Sequence, residues 1–144
     1  MRALLDVNVL VALLDAGHLH HRLATSWLAA QARRGWASCP LTQNGCIRIL
    51  SLAAYPNPQP AARVVERLAA AATDRSHEFW PDAFSLLDAG VIAWPHVLSG
   101  RQVTDVYLLG LAVARKGTLV TFDRGISLAA VPGAHARHLT VLGA

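Results

Sequence analysis

Two short apolar runs, each ending on an aspartate, constrain this chain most. "RALLDVN" at residues 2–8 carries Leu4 and Leu5 straight into Asp6, and "TLVTFDRG" at residues 118–125 leads in the same way to Asp123. An uninterrupted apolar run of this length, bounded by turn-forming residues, reads as a strand buried on both faces, as in a parallel sheet covered by helices. Such sheets gather ligands at the carboxyl ends of their strands. Both aspartates stand at carboxyl ends.

The rest of the chain alternates between helix and strand patterns. "NVLVALLDA" reads as a short helix stopped by Gly17, and "HHRLATSWLAAQARR" as an amphipathic helix with Leu23, Trp27 and Ala30 on one face. "WASCP" at 36–40 is a second strand. Thr42 is placed to cap a helix through "QNGCIRILSLAA"; the prolines of "YPNPQP" end it, and Pro60 opens the helix "AARVVERLAAAAT". "HEFWP" is a third strand, and residues 82–101 read as short helical pieces and loops. From Thr104, Val106, Leu109 and Val113 recur at helical spacing as far as Gly117, a natural stop. "TLVTF" and "HLTVL" are strands four and five. Alternation of this kind predicts an α/β fold with a mainly parallel five-stranded sheet.

Composition agrees with this. At 144 residues, with 53% hydrophobic and 15% charged, the chain fits a single domain over 1–144 that buries about two thirds of its unfolded surface. Asp6 and Asn8 interrupt the apolar start, and no later segment reaches the length of a membrane span, so the reading is a soluble, cytoplasmic protein. The formal charge of +4, with Lys116 the only lysine, is compatible with a polyanionic partner. Cys39 and Cys46 lie in apolar surroundings without ligand spacing and read as buried free thiols.

Asp105 is the third acid of interest. It follows Thr104 in the first turn of the helix that feeds the fourth strand, and such a helix starts near the carboxyl ends of a parallel sheet. Three carboxylates about 5 Å apart repel by about 3 kcal/mol per pair at an effective dielectric of about 20. A hard divalent cation removes the conflict, and oxygen ligands suit Mg²⁺ or Mn²⁺. Singly, Asp105 is also explained as an acid at a helix N-terminus, and Asp6 or Asp123 as the start of a turn. Their joint placement points to metal chemistry.

"LLDVNVLVALL", "PLTQNGCIRILS" and "RQVTDVYLLGLAVARKGTLVTFDRGI" resemble the successive motifs of PIN-domain ribonucleases, VapC-type toxins of bacterial toxin–antitoxin pairs in particular, over nearly the whole chain. The resemblance implies a PIN-like α/β/α sandwich and a homodimer restrained by a cognate VapB-type antitoxin. It also implies Mg²⁺-dependent RNA cleavage to 5′-phosphate and 3′-hydroxyl products. On that basis Asp6, Asp105 and Asp123 are the metal-site and catalytic acids, with Asn8 as a polar helper.

One departure follows. Many members carry a glutamate on the helix after the second strand, whereas here no acid lies between Asp15 and Glu66, and Gln43 and Asn44 occupy the region. Gln43 is the first candidate for the vacant role. A neutral amide orients metal-bound water but adds no charge, so weak metal binding is expected. Arg48 and Arg124 would hold flanking phosphates, though a salt bridge explains Arg48 equally well and Arg124 also reads as a solvated loop residue.

Other readings are weaker on named residues. A phosphatase of the haloacid dehalogenase type needs a second acid where Asn8 stands, and a receiver domain needs a lysine after its last strand, whereas Lys116 ends a helix. His18, His20 and His21 sit at a helix start, away from the acids, and read as packing or surface residues. Trp27, Trp36, Trp80 and Trp94 read as core or interface. The alternative that survives is an inactive PIN-like module that binds RNA or protein without cutting.

Overall fold

Five strands pair in the order β3–β2–β1–β4–β5, every pair parallel. In the computed structural model, which describes residues 1–143, they are β1 (Ala3–Leu5), β2 (Trp36–Ser38), β3 (His77–Phe79), β4 (Thr118–Thr121) and β5 (Leu139–Val141). The helices are α1 (Val7–Leu14), α2 (His21–Gln31), α3 (Pro40–Ser51), α4 (Ala61–Ala72) and α5 (Val103–Ala114). Among the described residues no helix is long and apolar enough to cross a membrane.

Alternation along the strands divides the interior into two cores. Leu4 and Leu119 enter one core with Val106, Leu108, Leu109 and Leu111 of α5. Ala3, Leu5 and Val120 enter the other with Val9 and Leu10 of α1, Cys46 and Leu50 of α3, and Val64 and Leu68 of α4. The result is an α/β/α sandwich. Helix α5 is buried at every position from Val106 to Ala112, because it is apolar all round and is covered on its outer side. The cover is the segment 82–101, which contributes 3-10 turns rather than an α-helix; its Phe84 ring lies 4.6 Å from that of Tyr107.

Local boundaries depart from the sequence expectations for identifiable reasons. Helix α1 ends at Leu14 with Asp15 as C-cap, ahead of Gly17. Helix α3 starts at Pro40, with Cys39 as N-cap. Thr42 is not the cap; it lies at the third helical position, where its hydroxyl accepts from the Cys39 N–H at 3.0 Å. Helix α5 starts one residue before Thr104, and Lys116, not Gly117, takes the left-handed conformation after it, at φ 56°. Gly117 is needed for space: a Cβ there would lie 2.6 Å from both the Arg2 carbonyl oxygen and the Trp80 ring. Cys39 and Cys46 are buried and free, and Trp80 is a core residue, as expected.

Gly45 sets how closely α1 and α3 approach. A Cβ at this position would meet the Val7 methyl at 2.5 Å, and the β-branched Val7 has little rotamer freedom with which to yield. We therefore expect Gly45→Ala to destabilise the protein by about 1–3 kcal/mol, and Val7→Ala in the same chain to recover part of the loss. Thermal melting of the single and double variants decides it; an unchanged midpoint in Gly45→Ala would show that the helices are not in tight contact.

Candidate active site

The strand order reverses between β1 and β4, with β2 and β3 on one side and β5 on the other. At such a switch point the connections diverge and leave a crevice beyond the strands' carboxyl ends. Asp6 directly follows β1, Asp123 lies two residues beyond β4, and Asp105 stands in the first turn of α5. All three line one cleft of about 470 Å³, with Asn8, His18, Asn44, Arg48 and Tyr55 among its other walls.

Asp6 is 5% exposed and acts as the N-cap of α1. Its Oδ1 accepts the Val7 N–H at 2.7 Å, and its Oδ2 accepts the Thr121 hydroxyl at 2.7 Å. The same Thr121 oxygen accepts the Asp123 N–H at 3.0 Å and the Asn8 side-chain amide at 3.4 Å. One buried hydroxyl thereby ties together the ends of β1 and β4 and the start of α1. Asp123 is exposed, and its Oδ1 accepts the Gly125 N–H at 2.7 Å, which closes a tight turn around it.

The carboxylates act on one another. Burial pushes the Asp6 carboxyl above its ordinary range; the bonds from Thr121 and Val7 pull it back, and the charge of Asp123 adds to the rise. Asp105 is pushed up to about 7, by burial first and then by the charges of Asp6 and Asp123 and a hydrogen bond shared with Asp123. Among the described residues no three His, Cys, Asp or Glu side chains already stand in a finished metal-ligand arrangement. Both Asp6 oxygens are engaged yet retain lone pairs for a further partner.

The donor set suits a hard cation. It consists of carboxylates together with the amide oxygen Asn8 Oδ1, which is buried without a hydrogen-bond partner. A buried acceptor with no donor, beside the raised carboxyls of Asp6 and Asp105, fits a hard cation as partner.

Asp6, Asn8, Asp105 and Asp123 are brought together; Gln43 is not. Its side chain donates to the Ser38 hydroxyl at 3.0 Å and lines a separate cavity between α3 and α4 with Ile47, Val65 and Leu68. Successive helical residues are rotated by about 100°, so it is Asn44, on the stripe with Leu41, Arg48 and Ile49, that faces the acids' cleft. Arg124 is directed elsewhere, donating to the Gly143 carbonyl at 2.7 Å. Arg48 lines the cleft and, among the described residues, makes no salt bridge. His18 was expected to lie away from the acids and instead lines the cleft. Thr121 and Tyr55 went unrecognised; the placement of Thr121, two residues before Asp123 on the same strand-end face, was the available signal.

A parallel sheet with acids meeting at its switch point, between α1 and α5, defines a class of small α/β/α domains with an acidic cleft at the strands' carboxyl ends. A family model described as PIN domain matches residues 3–132. The chain is 53% identical over 142 residues to Ribonuclease VapC44 of Mycobacterium tuberculosis (strain ATCC 25618 / H37Rv), covering 99% of this chain and 100% of that one. It is 42% identical over 127 residues to Ribonuclease VapC29 of the same strain, covering 88% and 90%. The chain belongs to the PIN-domain family, in its VapC-type branch. A crystal structure of VapBC2 from Rickettsia felis, bound to a DNA fragment from their promoter, shares the fold with TM-score 0.63 at 14% identity, covering 99% of both chains.

The Asp105 shift has a definite consequence for stability. The unfolded chain ionises Asp105 near 3.8, whereas the folded chain holds the proton to about 7. The folded state therefore binds more protons in between, and this contribution to stability, full below 3.8, is lost as pH rises through about 7. Asp6, also raised, acts in the same sense. In chelator, the thermal midpoint should fall from pH 5 to pH 8 more steeply for the parent than for Asp105→Asn; parallel curves would show that Asp105 is not held protonated.

Proposed function

We propose that the protein is an endoribonuclease that hydrolyses RNA phosphodiester bonds with Mg²⁺ or Mn²⁺. In this reading it acts as a homodimer in the cytoplasm and is the toxin of a type II pair restrained by a VapB-type antitoxin. The observation that carries the proposal is the convergence of Asp6, Asp105 and Asp123, from three separate elements, on a cleft that also holds the unpartnered Asn8 Oδ1. The names of the ribonuclease relatives support RNA as substrate, and the VapBC2 neighbour supports an antitoxin of the VapB type. Presence of all three acids weighs against a module that binds without cutting.

Asp6, Asp105 and Asp123 would hold the cation, with the Asn8 amide oxygen beside them. When bound, a divalent ion supplies positive charge against the phosphoryl oxygens and lowers the pKa of a nearby water for in-line attack. Thr121 fixes the orientation of the Asp6 carboxylate through its hydroxyl and holds the Asp123 backbone in place. Asp105 is the acid pushed up furthest, to about 7, and nearby positive charge would favour its ionised form. Arg48 presents a guanidinium to a phosphate flanking the cut. Asn44 stands where a neutral amide orients water without adding charge.

Asp6→Asn and Asp123→Asn should each lower metal-dependent RNA cleavage by at least about 100-fold. The fold should survive, since asparagine serves equally well as the N-cap at position 6 and in the turn at 123. Cleavage of single-stranded RNA by purified variants with matched melting curves tests this, and undiminished cutting by both would reject the site.

The placement of α3 yields a second test. Asn44→Glu should tighten Mn²⁺ binding, because it adds a carboxylate facing the other three, whereas Gln43→Glu should leave the affinity unchanged. Titration calorimetry separates the two; equal behaviour would mean that neither side of α3 is distinguished by the site.

A further inference from the structure

The cleft extends well beyond its acids. A volume of about 470 Å³ falls among pockets that enclose small organic ligands, about 300–1,000 Å³, and exceeds what a cation and its waters fill. It runs lengthwise between α1 and α3, with Val7, Asn8 and Val11 on one wall and Asn44, Arg48 and Ile49 on the other. The acids lie at the N-terminal end of α1. At a rise of about 1.5 Å per residue, Asp15 at the opposite end lies roughly 13 Å from Asp6 along the helix axis.

That far end is built before any ligand arrives. Asp15 accepts the Tyr55 hydroxyl through Oδ2 and the Gly17 N–H through Oδ1 at 2.9 Å, while its carbonyl accepts the His18 N–H at 3.0 Å. A single residue thereby holds the Tyr55 side chain and anchors the His18 backbone in this part of the cleft. His18 Nδ1 accepts the His20 N–H at 3.0 Å, which assigns the ring proton of neutral His18 to Nε2. His20 in turn stacks on Phe122 at 4.7 Å and 28°, next to Asp123, so the His18 loop is pinned to the acidic end of the sheet. Because the hydroxyl of Tyr55 is engaged, what this residue retains for an occupant is its ring.

We propose that the end of the cleft bounded by Tyr55 and His18 is a subsite for one nucleobase of single-stranded RNA. Tyr55 stacks on the base, His18 Nε2–H donates to an acceptor on its edge, and Arg48 holds the phosphate between that base and the acids. Asp15 is the positioning residue for the Tyr55 ring, and the His20 N–H sets the His18 ring. Unstacked bases of single-stranded RNA are taken up in this way, on aromatic faces beside a cation. The subsite rests on the reading of the acids as an RNA-cleaving centre. An antitoxin segment is the competing occupant; the histidine, arginine and tyrosine at this end offer a ring, a donor and a cation that match a base and its phosphate.

The test is a cycle between protein and substrate. Short single-stranded RNAs with mapped cut positions are resynthesised with one abasic residue moved along the chain, and cleavage is measured for the parent, Tyr55→Leu and Tyr55→Trp. In the parent, one abasic position near the cut should raise KM roughly tenfold, the size of one lost base stack. Tyr55→Leu should raise KM by a similar factor on intact RNA with kcat little changed, and should be insensitive to that abasic position. Tyr55→Trp should resemble the parent. Mn²⁺ affinity should be unchanged throughout, and if Tyr55→Leu melts early, His18→Ala runs the same cycle. Penalties that simply add, an unchanged KM, or loss of antitoxin affinity alone would overturn the subsite while leaving the cleaving centre standing. A parent chain that cuts none of the RNAs removes both.

Discussion

The parallel pairing of β1 with β4 is the interaction on which the site depends. Leu5 registers with Val120, the Asp6 N–H donates to the Val120 carbonyl at 2.9 Å, and Thr121 is thereby delivered to the Asp6 carboxylate. A slip of one residue would send Leu119 and Val120 to the wrong cores and carry Thr121 away from Asp6. The burial that stabilises the sheet therefore also fixes the spacing of the acids. Asp6 is held at the end of a buried strand, and Asp123 stands in an exposed turn.

Placing these acids together works against the folded state. In a chain with nine acids, three are gathered at one cleft, and for Asp6 and Asp105 burial and the neighbouring carboxylates oppose ionisation. Asp105 is the most strongly affected, retaining its proton to about 7. Hydrogen bonds from Val7 and Thr121 offset part of the cost at Asp6. Under the proposed function a bound cation would relieve the remainder and link stability to metal binding.

Helix α1 connects the two ends of the cleft. Its N-terminus is capped by Asp6 and its C-terminus by Asp15; the first belongs to the acidic centre and the second organises Tyr55 and the His18 loop. The close approach of α3 at Gly45 brings Asn44 and Arg48 alongside, so that charge, amide and aromatic groups succeed one another along a single groove.

Much of this was legible in the residue order. The apolar runs before Asp6 and Asp123 identified buried parallel strands, and topology alone placed Asp105 with them, because strand ends and the start of the intervening helix share one edge of a parallel sheet. The face of α3 was also within reach: Arg48 is four residues beyond Asn44 and so shares its stripe, while Gln43 is rotated away by about 100°. His18 and Tyr55 were not legible. They are separated by 37 positions, and their meeting depends on a hydrogen bond to Asp15 that no local periodicity encodes. Apolar patterning and strand–helix alternation act locally and repeat along the chain, so residue order alone carried the fold class and the strand-end positions of Asp6 and Asp123. Only the tertiary structure decided which side of α3 faces the cleft, that Thr121 joins the acids, and that the cleft ends in two aromatic rings, because these follow from long-range packing and hydrogen bonds rather than from pattern.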